Sequence, residues 1–202
     1  MDFWTHEEFL VFWKSLQEDT DLSLIFSLLY YSGMRIGELL ALEKTDFDPG
    51  SGTVSITKTL RRYKKEDIIT PPKTPKGKRE VRLPDFLSEA LKKYIAVRSD
   101  TGNGDRIFLR SRHSIDRAMR KHCRLSGVKK IRIHDLRHSN ASLLIEMGVS
   151  PILIAERLGH ENVETTLNTY SHLYPGKQAE VTGQMQKLHE ILLEKQFRNS
   201  TE

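Results

Sequence analysis

The 202-residue chain lacks several features on which whole protein classes depend. Cys123 is its only cysteine, so no internal disulfide can form and a disulfide-stapled secreted scaffold is excluded. Its longest apolar stretch, around Leu24 to Tyr31, falls well short of the roughly 20 residues that a membrane-spanning helix needs. The opening residues Met1-Asp2-Phe3-Trp4 lack the basic-then-apolar order of a secretory signal. There is no internal repeat and no low-complexity tract. A soluble, cytoplasmic protein with no membrane partner is expected.

What is present is ordinary for a globular domain: 38% hydrophobic and 29% charged residues, enough to bury a core. The charge is unevenly spread. Between Lys58 and Arg82 stand ten Lys or Arg against three acids, so this stretch carries +7 while the remainder sums to −2. Such a segment is either a solvated loop or a phosphate footprint, and only its neighbours decide which.

Turn chemistry and periodicity give a coarse map. Thr5 and Glu8 form a capping box before a helix carrying Phe9, Phe12 and Leu16. Asp21 is positioned to cap a second helix reaching about Tyr31, Gly33 ends it, and Arg35 to Leu42 reads as a short third. β-Branched alternation follows at Val54 and Ile56, at Ile68 and Ile69, and at Val81 and Leu83, which predicts a small three-stranded antiparallel sheet. Lys73 then falls near the hairpin joining its last two strands.

Further helices are expected from Pro84 to Val97 and from Ser114 to Leu125, and from His134 onward with Leu136, Leu143, Leu144 and Met147 as one buried face. Others run from Ser150-Pro151 to Leu158, with Gly159 as the stop, from Asn162 towards Tyr170, and from Gln178 to Gln196 after the Pro175-Gly176 break. The fold class is therefore α+β, mostly α-helical.

The richest chemistry lies in Ile133-His134-Asp135-Leu136-Arg137-His138, then Leu158-Gly159-His160-Glu161-Asn162, then Asn168-Thr169-Tyr170-Ser171-His172. His134 and Arg137, three apart, share a helix face. His160 follows Arg137 by 23 residues and Tyr170 follows His160 by 10. Singly, each has a plain explanation: Arg35 pairing with Glu38, His134 at a helix start, Tyr170 half-buried in packing. His134 and His138 are also spaced like a zinc pair, but the glutamate of a His-Glu-x-x-His site is missing and Arg137 would sit beside the metal, so no metal is assigned.

Taken together, and with Ser32-Gly33-Met34-Arg35-Ile36-Gly37-Glu38 upstream, these motifs resemble the tyrosine recombinase, or phage integrase, family, in particular integrases of Gram-positive phages and conjugative transposons. The resemblance covers about Thr5 to Tyr174. It implies the tyrosine recombinase catalytic-domain fold and a site-specific recombinase that cleaves and rejoins DNA through a 3′-phosphotyrosyl bond, integrating or excising a mobile element.

On that resemblance Tyr170 is the nucleophile, Arg35 and Arg137 clamp the phosphate, His134 and His160 hydrogen-bond it, and Lys73 protonates the leaving 5′ oxygen, with Lys76 and Lys78 as neighbouring alternatives. The chemistry suits these residue types, because a guanidinium presents a planar fork to phosphate that a lysine point charge does not. Glu38 and Asp135 are expected to orient Arg35 and His134. Arg61, Arg62, Lys64, Lys65, Lys76, Lys78 and Arg79 are expected to bind DNA. No cofactor is implied, since the phosphotyrosine conserves the bond energy.

The resemblance further implies double-stranded DNA as substrate, a monomer when free and a homotetramer on DNA, with an excisionase or host DNA-bending protein as further partners. The catalytic domain is expected over residues 1–174, with a tail helix over 175–202 docked in cis or exchanged between protomers. The family's N-terminal core-binding and arm-binding domains are expected to be absent from this chain. A type IB topoisomerase and a DNA-binding module without chemistry are the competing readings.

Overall fold

The computed structural model describes residues 2–16, 18–64, 66–98, 105–173 and 178–199. Helix α1 (His6–Lys14) opens on the expected capping box: the Glu8 N–H donates to Thr5 Oγ1 at 3.2 Å and the Thr5 N–H to Glu8 Oε2 at 2.9 Å. Helix α2 (Thr20–Ser32) is the centre of the molecule, burying Leu22, Leu24, Ile25, Phe26, Leu28, Leu29 and Tyr30. Its cap is Asp19 and not Asp21, because the Asp19 carboxylate accepts the Leu22 N–H at 3.0 Å, while Asp21 turns to Arg110 and Tyr94. Gly33 ends the helix at φ 67°, and a side chain there would meet Leu158 at 2.5 Å and Asn140 at 2.6 Å, so this turn demands glycine twice over.

Helix α3 (Ile36–Leu40) follows, then strands β1 (Phe47–Asp48), β2 (Thr53–Ile56), β3 (Thr59–Tyr63), β4 (Glu66–Thr70) and β5 (Arg79–Arg82). The three-stranded antiparallel sheet exists, with a membership different from the expected one. Its order is β1-β2-β5, with Val54 opposite both Phe47 and Val81. Ile68 and Ile69 belong to a separate β3–β4 hairpin. They are adjacent and so point to opposite faces, each about two-fifths exposed, and neither supplies a core face. Lys73 consequently sits in the loop between β4 and β5, two strands that do not pair with each other.

Helices α4 (Asp85–Val97), α5 (Arg112–Ser126), α6 (Asp135–Glu146), α7 (Pro151–Leu158), α8 (Val163–Tyr170) and α9 (Gln178–Asn199) complete the described elements. The main core gathers apolar residues from Trp4 to Leu136, and a second, smaller core joins Ala141, Ile145, Ile154, Leu158 and Tyr170 from α6, α7 and α8. The expected apolar face of α6 is buried in part: Leu136 is fully buried and Leu143 and Leu144 pack against the two cores, but Met147 is 68% exposed, and the helix also buries Asp135, Arg137, Ser139 and Asn140. This helix turns its polar face inward because the functional cluster lies there.

Candidate functional site

The cluster begins at the turn after α2. Gly33 leaves its carbonyl free of the helix ladder, and Arg137 Nη1 donates to it at 2.8 Å, which draws the guanidinium of α6 against the start of α3. Arg137 is buried, at 3% exposure, and its Nη2 has no hydrogen-bond partner among the described residues. Burial, followed by the nearby cations Arg35 and Arg79, pulls the Arg137 guanidinium down to about 9. A desolvated cation crowded by like charge and holding an unspent donor is built to receive an anion.

Glu38 organises the cations around it. Its Oε1 accepts Arg35 Nη1 at 2.8 Å and its Oε2 accepts both the Arg35 N–H and Arg79 Nη2 at 2.8 Å. Although burial opposes it, the hydrogen bonds and charges of Arg79 and Arg35 hold this carboxyl below its ordinary value. Glu38 thus meets the expectation that it touches Arg35. Arg79, expected among the DNA-binding residues, has a side chain only 5% exposed whose Nε donates to the Arg157 carbonyl at 2.8 Å. Arg79 secures Glu38, whereas Arg35 keeps 42% of its side chain in solvent.

Three more expected residues converge on these guanidiniums. His134 caps α6, and its ring is pushed down by burial and by Arg137 and Arg35. His160 lies just past the left-handed Gly159; burial, Arg137, Arg35 and Arg79 push it down to about 4, and its Nδ1 meets the buried Thr166 hydroxyl at 2.7 Å. Tyr170, last residue of α8, is 1% exposed, and burial pushes its phenol up to about 12 against the opposing pull of Arg137. Its hydroxyl lies 2.6 Å from Nδ1 of His138.

The Lys73–Arg79 loop packs on this cluster from the other side, since a side chain on Gly159 would come within 2.9 Å of the Lys76 carbonyl. Lys76 Nζ donates to the Glu161 carbonyl at 2.8 Å, beside His160, while Lys73 and Lys78 are exposed. Asp135 does not engage His134 as expected. Its carboxylate accepts the Arg132 N–H at 2.8 Å and Arg132 Nη2 at 2.7 Å, so it fixes the backbone that leads into His134. Lys65 and the Pro175-Gly176 break lie outside the described residues.

Residues 3–177 match the model of the phage integrase family. The chain belongs to that family. It is 32% identical over 93% of its length to the ICEBs1 integrase of Bacillus subtilis (strain 168), covering 55% of that protein. It is also 32% identical over 78% of its length to the integrase of Staphylococcus phage L54a, covering 49% of it. The chain therefore spans about half the length of these curated relatives. Its fold is that of the Tn1549 transposon integrase solved with transposon right-end DNA, at a TM-score of 0.77 and 22% identity, covering 93% of this chain and 66% of that one.

In this member of the family, an open cleft of about 1030 Å³ runs away from His134. The expected Arg61 and Arg62 line one part of it, with Arg106, Arg110, Arg112, His113 and Arg132 as unforeseen contributors and Asp67 and Asp116 as the acids. Arg110 is spent on Asp19 and Arg132 on Asp135, while Arg112 is exposed. The missed residues had a signal, since Arg110-Ser111-Arg112-His113 stands at a helix start and Lys129-Lys130-Ile131-Arg132 leads straight into His134. Lys64 is exposed, at the end of the β3–β4 hairpin. The contact of His138 was not legible in the sequence, because nothing local ties it to a tyrosine 32 positions on.

Proposed function

We propose that this chain is the catalytic part of a site-specific DNA recombinase that integrates or excises a mobile element by breaking and rejoining strands through Tyr170. The observation that carries the reading is the unpartnered Nη2 of the buried Arg137, flanked by Arg35, His134, His160 and Tyr170. A phosphodiester seated there satisfies the open donor and neutralises the crowded cations.

In the proposed reaction the Tyr170 oxygen attacks the scissile phosphorus and the P–O5′ bond breaks, while the phenolic proton passes to the neutral ring of His134. The Arg35 and Arg137 forks stabilise charge on the non-bridging oxygens, His134 and His160 donate to them, and the 5′ oxygen leaves with a proton from Lys73. A new strand's 5′ hydroxyl then reverses the step. Lys73 takes this role by resemblance and from its loop, which packs on the His160 turn; Lys76, already bonded beside His160, and Lys78 are the alternatives.

Double-stranded DNA is the proposed substrate, lying along the arginine-lined cleft; the Tn1549 integrase was solved in complex with transposon right-end DNA. Assembly is proposed as a homotetramer on DNA, with excisionase or a DNA-bending protein as further partners. The exposed stripe Met185, Leu188, Ile191 and Leu192 of α9 supports docking on a neighbouring protomer. The test is incubation with a nicked duplex of the element's own site. A denaturant-resistant protein–DNA adduct is expected, and an adduct that persists in Tyr170→Phe contradicts the assignment.

A further inference from the structure

We propose that His138 is a positioning residue for Tyr170: in the DNA-free protein its imidazole holds the phenolic hydroxyl inside the fold, and cleavage requires that hydroxyl to be released towards DNA. The inference rests on the functional reading above for Tyr170 as nucleophile, and on geometry for the rest.

The Tyr170 ring is packed in the small core of Ala141, Ile145, Ile154 and Leu158, all buried, and only 1% of the residue meets solvent. To attack the phosphorus the hydroxyl must leave this apolar pocket for the phosphate side of the cluster. Within that apolar pocket the hydroxyl has one polar partner among the described residues, Nδ1 of His138 at 2.6 Å, with the two rings tilted by 58°. A buried hydroxyl without a partner is costly, so this contact fixes where the phenol points.

Its direction follows from the surroundings of the imidazole. Burial first, and then His134, Arg137 and Arg132, oppose a positive charge on His138, and Asp135 favours one. The ring therefore stays neutral, and in its Nε2–H tautomer Nδ1 accepts the tyrosine O–H. Retention, rather than proton removal, is the role this supports. The phenol is pushed up to about 12 and the imidazole down to about 4, so transfer between them is strongly uphill while sharing is not. His134, proposed to face the phosphate, lies edge-on to His138 at 5.3 Å between ring centroids. The holding contact is thus one ring away from the proposed phosphate position.

The test needs no DNA, so its outcome is independent of the adduct assay. The whole chain is treated with N-acetylimidazole, which acetylates accessible phenols, and each tyrosine is followed by peptide mass spectrometry. Tyr63, 61% exposed, is the reactive reference, and Tyr30, buried and unpartnered, reports an opened fold. The wild-type protein should modify Tyr63 and spare Tyr170. His138→Leu should raise Tyr170 modification by about tenfold or more relative to Tyr63, the scale of one lost hydrogen bond. His138→Asn should preserve the protection, because its Oδ1 can accept where Nδ1 does.

Equal protection in the wild type and the Leu variant would overturn the proposal, since packing alone would then retain the phenol. Equal exposure in the Leu and Asn variants would also overturn it. Should the Leu variant expose Tyr30 as well, the same comparison is made with His138→Phe, which keeps a ring and removes the acceptor.

Discussion

Charge, burial and one open donor decide the chemistry at the scale of single residues. Arg137 gives up solvent and sits near two other cations, an arrangement that a protein stabilised only for its own sake would replace with an apolar side chain. On the proposed function its value lies in binding and catalysis. Arg137→Lys keeps the charge and loses the planar fork, so adduct formation should fall about 100-fold to 1000-fold, or roughly 2.7–4 kcal/mol, while the melting temperature changes little. A lysine variant that cleaves normally would show that the fork is not used.

The histidines give a pH signature in the DNA-free protein. His138 and His160 are both held down to about 4, each chiefly by burial, against an unfolded value near 6.5. Between those limits the unfolded chain binds protons that the folded one refuses, so stability falls as pH drops from about 6.5 towards 4. Glu38 and Asp135, whose carboxyls are held below their ordinary values, add to the loss only at the acid end of that window. Thermal melts at pH 7 and pH 5 should differ accordingly, and by less in His160→Asn. A flat profile would contradict the burial of these rings.

At the scale of elements, local signals were legible and partnerships were not. The Thr5–Glu8 box, the Gly33 stop and the Ser150-Pro151 start of α7 each depend on residues within one turn, and each stands as the sequence implied. The sheet shows the opposite case. Whether Ile68 and Ile69 pair with β5 or with β3 depends on which face is buried, a property that no β-branched run carries by itself. Arg79 is a parallel case, since it stands in a basic run and only the placement of Glu38 on α3 turns it inward.

The α9 helix carries the element's own prediction. Its apolar stripe finds no cover among the described residues, with Met185 66% and Leu188 59% exposed, which favours uptake by a neighbouring protomer. Truncation after Gly176 should leave single protomers on DNA in place of tetramers, as read by native mass spectrometry. Unchanged assembly would assign the stripe another role.

Seen as a whole molecule, the chain sets a reactive cluster at one end of an arginine-lined cleft. The motif residues around Arg137 could be picked out in the sequence because their order and spacing are so specific. The cleft could not, because its cations come from the β3–β4 hairpin, the start of α5 and the approach to α6, which only the fold brings together. Arg112→Ala should weaken binding to any duplex and lower the slope of log affinity against log salt by about one, as expected for one phosphate contact. A variant that alters sequence preference without changing that slope would mean a base contact instead.

The central claim is that Tyr170 becomes covalently joined to DNA, and trapping that bond tests it most directly. Wild-type protein on a nicked duplex of its own site should yield a denaturant-resistant adduct, and peptide sequencing should find the nucleotide on Tyr170. Tyr170→Phe should yield none while still binding the duplex. An adduct on any other residue, or one that survives the Phe substitution, contradicts the account.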